Sequence, residues 1–256
     1  MISAHSKQKD LLKTVENLKS SNNLLASKNI ELEQGIKTDQ ETYDKAIANM
    51  RIAHLTFDDG PSNNTIKLLD ILDEYQAKAT FFVNYKEGYD DVYREIVNRG
   101  HVLANHTASH NYKNIYSDAT SFINDIELLD KKLEEITGQV PSKILRFPGG
   151  SNTEHIRSDK NIMTEIIKSV TDRGYTYFDW NVDSRDACKM TQDKNVIIDS
   201  VLNGSIPMNT ANILMHDTNL KYTTIEAMPE ILKGLKSQGY IFKPLNHDSA
   251  DIRFVE

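Results

Sequence analysis

The sequence predicts an α/β fold: a closed or nearly closed (β/α) barrel over residues 51–256, preceded by a separate helical segment over residues 1–50. Short apolar runs alternate with amphipathic stretches from Arg51 onward, the pattern of a parallel sheet with crossover helices. The polar residues that need explaining fall at the C-terminal ends of those runs, where β/α barrels carry their reactive groups. The first fifty residues differ in composition. They hold no Pro, Phe, Trp or Arg, one Gly and one aromatic residue, Tyr43, and their seven Lys cancel seven Asp and Glu.

In that first segment Leu11, Leu18, Leu25 and Leu32 recur every seven residues, and Val15, Asn22, Asn29 and Ile36 form a second row with the same spacing. Two such rows make the seam of a coiled coil of about four heptads. Asn in a seam lowers stability but fixes register and favours two strands, so a homodimer through this segment is expected. The alternative is one amphipathic helix folded back on the barrel. Next, Arg51–Phe57 reads as a strand and Asn64–Tyr75 as a helix with Ile66, Leu69 and Leu72 on one face. Ala79–Val83 is strand-like, Asp91–Arg99 helical with Gly100 as its stop, and His101–Asn105 a further strand. A long helix is predicted over Asp118–Ile136, ahead of Gly138 and Pro141. Ile144–Phe147, Thr176–Trp180 and Ile213–Met215 complete the strands, with helical segments between them.

Composition narrows the function. Thirty Lys and Arg against thirty-seven Asp and Glu give a net charge of −7, all of it in residues 51–256, which disfavours a general nucleic-acid binder. The single cysteine, Cys188, excludes an internal disulfide and a zinc knuckle. No apolar run approaches the roughly 20 residues of a membrane span, and MISAHSKQKD carries no signal-peptide core, so a soluble chain is expected.

Five strings carry the chemistry. TFDDGP, Thr56 to Pro61, sets Asp58 and Asp59 side by side at a strand end, where they repel unless one binds a cation or shares a proton. A turn and helix cap would use the same letters. HTASH, His106 to His110, spaces two histidines by four, so on a helical turn both rings reach one metal; an exposed pair without a ligand is the plainer reading. One Asp and two His leave a coordination position open, as a catalytic zinc site does, and Asp58 beside it would accept a proton from water. LRFPGGS, Leu145 to Ser151, offers Arg146 as a partner that keeps Asp58 ionised, and Gly149, whose N–H could face an oxyanion. Alone it also reads as a surface ion pair beside a Pro-Gly turn. DWNVDSRDA, Asp179 to Ala187, holds three acids and the only Trp, Trp180. ILMHD, Ile213 to Asp217, puts His216 past an apolar strand, where a satisfied core histidine is the ordinary reading.

In this order the five strings resemble the polysaccharide deacetylases of the NodB-homology type (carbohydrate esterase family 4), which carry TFDDGP, H-S/T-x-x-H, R-x-P, D-x-x-D-W and L-x-x-H. The likeness covers residues 51 to about 220, and the first two motifs are its specific part. It implies a distorted (β/α) barrel and metal-dependent removal of acetyl groups from an N-acetylated polysaccharide, with N-acetylglucosamine of peptidoglycan or chitin-like oligomers as the expected unit. Carried over residue by residue, it implies Asp58 as general base and Asp59, His106 and His110 as metal ligands. Arg146 would orient the base, His216 would be the general acid, and Asp186 would tune that histidine. Gly149 would supply the oxyanion amide. The implied metal is divalent, zinc first, with cobalt, nickel or manganese as alternatives.

Three positions depart from the pattern. Gly149 stands where an aromatic normally follows R-x-P, Ala187 replaces the Trp of D-x-x-D-W, and Ile213 replaces Leu. The first two reshape the groove and the pocket for the acetyl methyl, and Trp180 is the residue expected to compensate. None touches a ligand, the base or the acid, so substrate choice is affected before activity. Acetyl xylan esterase action and a weakly active carbohydrate-binding surface module are the competing readings. The resemblance also implies a bacterial cell-envelope or extracellular setting, with the coiled coil spacing the barrel from an anchor that this chain lacks.

Overall fold

The computed structural model describes residues 2–48, 50–154 and 160–255. It divides into two compact units, Met1–Met50 and Arg51–Glu256. The first is a single helix, α1 (Ile2–Ala48). Leu11, Val15, Leu18, Leu25, Leu32 and Ile36 are all exposed on it, from 43% for Val15 to 69% for Leu11, leaving an apolar seam without cover in the single chain. Among the described residues no helix is long and apolar enough to cross a membrane.

The second unit alternates strand and helix as its patterning predicts. In chain order it holds β1 (Arg51–Gly60), α2 (Thr65–Glu74), β2 (Thr80–Val83), α3 (Asp90–Asn98), β3 (Val102–Asn105) and α4 (Tyr112–Ile115). Then come α5 (Ala119–Thr137), β4 (Ile144–Leu145), α6 (Lys160–Thr171), β5 (Thr176–Tyr177) and β6 (Val182–Asp183). The series ends with α7 (Lys194–Ser205), β7 (Thr210–His216), α8 (Tyr222–Ser237) and β8 (Tyr240–Phe242). All strand pairs are parallel, in the order β5-β4-β3-β2-β1-β7-β6. β8 pairs with the first residues of β1, on which β2 takes the later ones. β5 and β6 are consecutive in the chain yet end the sheet on opposite sides without pairing, so the barrel is curled and open there rather than closed.

Period-two alternation along β1 explains both the core and the site. Ala53, Leu55 and Phe57 face outward into the main core with Leu68, Leu72, Ile231 and Leu232. His54, Thr56 and Asp58 alternate with them and are buried as well. Asp58 is therefore held inside the barrel because its neighbours Phe57 and Leu55 must be outside. A second core lies under α5 and α6, built on Phe122, Ile126, Phe147, Ile166 and Tyr177. Asp118 caps α5 by accepting the Ser121 N–H at 2.8 Å. The predicted strands Ile144–Phe147 and Thr176–Trp180 shrink to two residues each, the first because Pro148 and two glycines turn the chain away. β6 and β8 fall outside every predicted strand.

His101 couples this fold to pH. It is 5% exposed, edge-on to Phe81 at 5.5 Å, and its Nδ1 accepts the Ala79 N–H at 3.1 Å while Nε2 has no partner. Burial, with the nearby Lys78 charge adding to it, lowers its pKa to about 4. Because the folded value lies below the ordinary 6.5, the contribution to stability is complete above pH 6.5 and is lost as pH falls through 4, up to about 3 kcal/mol. Urea unfolding at pH 7 and pH 4.5 is expected to show this loss, and His101→Asn to flatten it. An equal pH dependence in both proteins would remove His101 as the cause.

Candidate metal and active site

The two adjacent carboxylates of β1 point to different places because Asp59 takes a left-handed backbone (φ +66°). Asp58, 3% exposed, continues the inward alternation. Asp59 turns to the mouth of the barrel, where its Oδ1 lies 3.5 Å from His106 Nε2 and 3.2 Å from His110 Nε2. One atom from each of these three residues lies within 4.8 Å of the others, and among the described residues no second cluster of this kind occurs. Asp59 Oδ1 is buried and has no hydrogen-bond donor. A buried carboxylate oxygen without a donor beside two ring nitrogens is a set of three donor atoms suited to a cation. The residues present fit a metal ion.

The histidines meet by a different route from the one their spacing predicts. His106–His110 is not a helical turn. Thr107 (φ +68°) and His110 (φ +49°) are both left-handed, and the resulting tight bend sets the two rings 5.2 Å apart. The Thr107 N–H donates to Asn105 Oδ1 at 2.9 Å, Ser109 N–H to Asp125 Oδ1 at 3.0 Å and His110 N–H to Thr107 Oγ1 at 3.1 Å, which fixes the bend. His106 Nδ1 lies 2.8 Å from the Arg146 carbonyl, an acceptor only. Nδ1 therefore carries the proton and Nε2 presents its lone pair toward Asp59. For Asp59, burial alone would raise the carboxyl, but the His106 and His110 rings bring it below its usual range. Burial, then the His106 ring, lowers His110, which favours the neutral ligand form.

Arg146 is fully buried, so the surface ion-pair reading is excluded. Its Nη1 donates to Asp58 Oδ1 at 2.9 Å and Thr56 Oγ1 at 2.7 Å, Nε to the Phe178 carbonyl at 3.0 Å, and Nη2 to the Asp179 carbonyl at 3.0 Å and Asn212 Oδ1 at 3.2 Å. The guanidinium lies 4.2 Å from the Phe82 ring centre. A planar cation with acceptors on all three nitrogens is immobile, and so is the carboxylate it holds. Asp58 Oδ2 remains 3.8 Å from His106 Nε2, facing the Asp59, His106 and His110 cluster.

His216 ends β7, with its Cα paired to that of Asp58. Its Nδ1 lies 2.8 Å from Asp186 Oδ1, and its N–H donates to Asp186 Oδ2 at 2.8 Å, an oxygen that also accepts the Thr224 hydroxyl at 3.0 Å. Burial opposes the imidazolium, but the hydrogen bond and charge of Asp186 raise His216 to about 9, so it is protonated at neutral pH. The ring is thus oriented by one carboxylate and keeps 14% of its side chain exposed. Gly149 and Gly150 follow Arg146 with φ +79° and +86°. A Cβ on Gly149 would sit 2.8 Å from Thr153 Oγ1, so this loop has no room for a side chain there. Trp180 lies beside the loop, its ring centre 5.7 Å from the Arg146 guanidinium carbon.

Three further residues, to which the sequence assigned no role, adjoin the site. Lys86 Nζ donates to the Asp59 carbonyl at 2.5 Å and the Pro61 carbonyl at 3.0 Å, pinning the turn that carries Asp59. Asp217, next to His216, is buried against Gly60 and accepts the Thr65 hydroxyl at 2.5 Å; burial raises its carboxyl to about 6. Tyr112 stands edge-on to His110 at 5.2 Å. ILMHD contained Asp217 as a signal, whereas a lone Lys86 and Tyr112 gave none.

A family model described as polysaccharide deacetylase matches residues 45–180. The chain belongs to the polysaccharide deacetylase family. It is 35% identical over 207 residues to a peptidoglycan-N-acetylglucosamine deacetylase of Bacillus cereus, across 78% of this chain and 71% of that protein. A chitooligosaccharide deacetylase of Rhizobium leguminosarum is 28% identical over 218 residues, 79% of this chain and 94% of the relative. The catalytic domain of a peptidoglycan N-acetylglucosamine deacetylase from Eubacterium rectale superposes with a TM-score of 0.75 at 38% identity, covering 80% of this chain and 92% of that structure. The curled, open sheet is thus the barrel of polysaccharide deacetylases, as the resemblance implies.

Proposed function

We propose that the chain removes N-acetyl groups from N-acetylglucosamine units of a polysaccharide, peptidoglycan or a chitin-like oligomer, and releases acetate. The observation that carries this reading is the pairing of two groups across one mouth: the Asp58 carboxyl, held in place by Arg146, and His216, held protonated by Asp186. A fixed carboxylate facing a protonated imidazole is the pairing that general acid–base catalysis uses.

Asp59, His106 and His110 would hold a divalent cation, zinc being the best match to two imidazoles and a carboxylate. Such a cation supplies Lewis acidity toward water and toward the acetyl carbonyl. The rest falls to side chains of this chain. Asp58 Oδ2 takes a proton from the water that attacks the carbonyl carbon, while Arg146 on Oδ1 keeps the carboxylate oriented. The Gly149 N–H donates to the developing oxyanion. His216 delivers its proton to the sugar nitrogen as the C–N bond breaks, and Asp186 stabilises the imidazolium until then. Acetate and a free amino sugar result. Acetate release from N-acetylglucosamine oligomers, run beside acetylated xylan, tests the substrate. Release from xylan alone would replace the amide reading with an ester one.

We also infer that residues 1–50 pair two chains in parallel, and that the enzyme works at a bacterial cell envelope with this helix as a spacer. The exposed Leu and Val/Asn/Asn/Ile rows support the pairing. In a parallel, in-register pair Asn22 and Asn29 each meet their own copy, and Lys28 of one chain faces Glu33 of the other across the seam. Light scattering of the full chain should give twice 29.1 kDa. Leu18→Lys with Leu25→Lys should halve it, and a monomeric wild type would end the idea.

A further inference from the structure

Residues 251–255 run beside the link from β5 to β6, where the sheet is open. The Asp179 N–H donates to the Ile252 carbonyl at 2.9 Å, and the Phe254 N–H to Asp179 Oδ2 at 2.7 Å. Asp179 is fully buried, and its carboxylate also accepts the Ser151 N–H at 2.8 Å and hydroxyl at 2.5 Å. One carboxylate therefore ties the C-terminal residues to the loop after β4. The result is a fixed aromatic pair at the surface. The Phe254 ring stands edge-on to Trp180, centres 4.9 Å apart at 81°, while Phe254 stays 41% exposed.

With Asn181, Asp183, Asp251 and Arg253 these rings line an open depression of about 580 Å³, within the ~300–1,000 Å³ of ligand sites. Its inner edge abuts the site already described. A Cβ on Gly150 would touch both the Phe254 ring and Trp180 Cη2 at 3.2 Å, and Gly150 follows Gly149 directly. Glycine at 150 thus lets two rings from distant parts of the chain close on the loop that bears the oxyanion amide.

We propose that Trp180 and Phe254 form a stacking platform for a second sugar ring, adjoining the one whose acetyl group reacts; this rests on the deacetylase reading above. A pyranose has an apolar C–H face and a rim of hydroxyls. The exposed Phe254 ring, braced edge-on by Trp180, meets the face, and the exposed Asp183 with Arg253 meets the rim. The platform supplies apolar surface beside Gly149, which has no side chain, and it takes a glycan chain rather than a single acetylated sugar.

Trp180 is the only tryptophan, so intrinsic fluorescence reports on the platform directly. The N-acetylglucosamine hexamer titrated into the full chain carrying Asp58→Asn is expected to change Trp180 emission saturably. Adding Phe254→Ala should weaken that binding about tenfold, and Phe254→Tyr should restore it. The tyrosine variant separates lost stacking from a disturbed fold. No emission change at hexamer concentrations that saturate acetate release by the wild type would overturn the platform and leave the deacetylase reading intact. A Phe254-dependent change without acetate release from any acetylated glycan would keep the platform and remove the deacetylase. Neither signal would remove both.

Discussion

Asp59→Asn will cost the protein its divalent metal and, with it, acetate release by more than about 10³-fold. Asn matches Asp in size, so the Lys86 clamp on the residue 59 carbonyl and the left-handed turn can both persist. The charge that draws a cation between His106 and His110 does not. His106→Ala should have the same effect by a different loss, since it removes a ligand nitrogen whose lone pair is aimed by the Arg146 carbonyl. Elemental analysis after dialysis, paired with turnover, reads both. A variant that keeps one equivalent of metal and full rate would show that the three residues do not form the working centre.

Asp58→Asn separates the base from the ligands. Turnover should fall by about 10²–10⁴ while the metal content stays at the wild-type level. Arg146 remains paired in this variant: the amide oxygen can accept from Nη1, and Thr56, Asn212 and the carbonyls of Phe178 and Asp179 are untouched. The hydrogen bonds of Arg146 are thereby kept but its counter-charge is lost, at a cost of up to about 3–5 kcal/mol, so a lowered thermal melt should accompany the kinetic loss while the protein still folds and binds metal. If turnover survived, proton transfer from water would have to be assigned elsewhere, and Asp58 would be only a structural counter-ion to Arg146.

Much of this site was legible in the letters because β/α barrels put function at strand ends, and a strand shows itself by its apolar alternation. LTF before Asp58 and Asp59, VLAN before His106 and ILM before His216 are such cases. What was not legible depends on backbone that repeats no pattern. His106 and His110 meet across a bend with two left-handed residues, which spacing alone presents as a helical turn. β5 and β6 are two-residue strands, too short for any periodicity, so the opening between them could not be foreseen. The residues lining that opening come from positions 180–183 and 251–254, far apart in sequence. Lys86 acts through its long side chain on two carbonyls, a role that has no sequence signature.

The most direct test is a titration of zinc into the metal-stripped full chain, with bound metal and acetate release from N-acetylglucosamine oligomers followed in the same samples. Both should rise together and level off at one equivalent per chain, and neither should respond in Asp59→Asn. Full-rate acetate release from the stripped protein, or release that keeps rising well after one equivalent is bound, would contradict a single catalytic cation held by Asp59, His106 and His110.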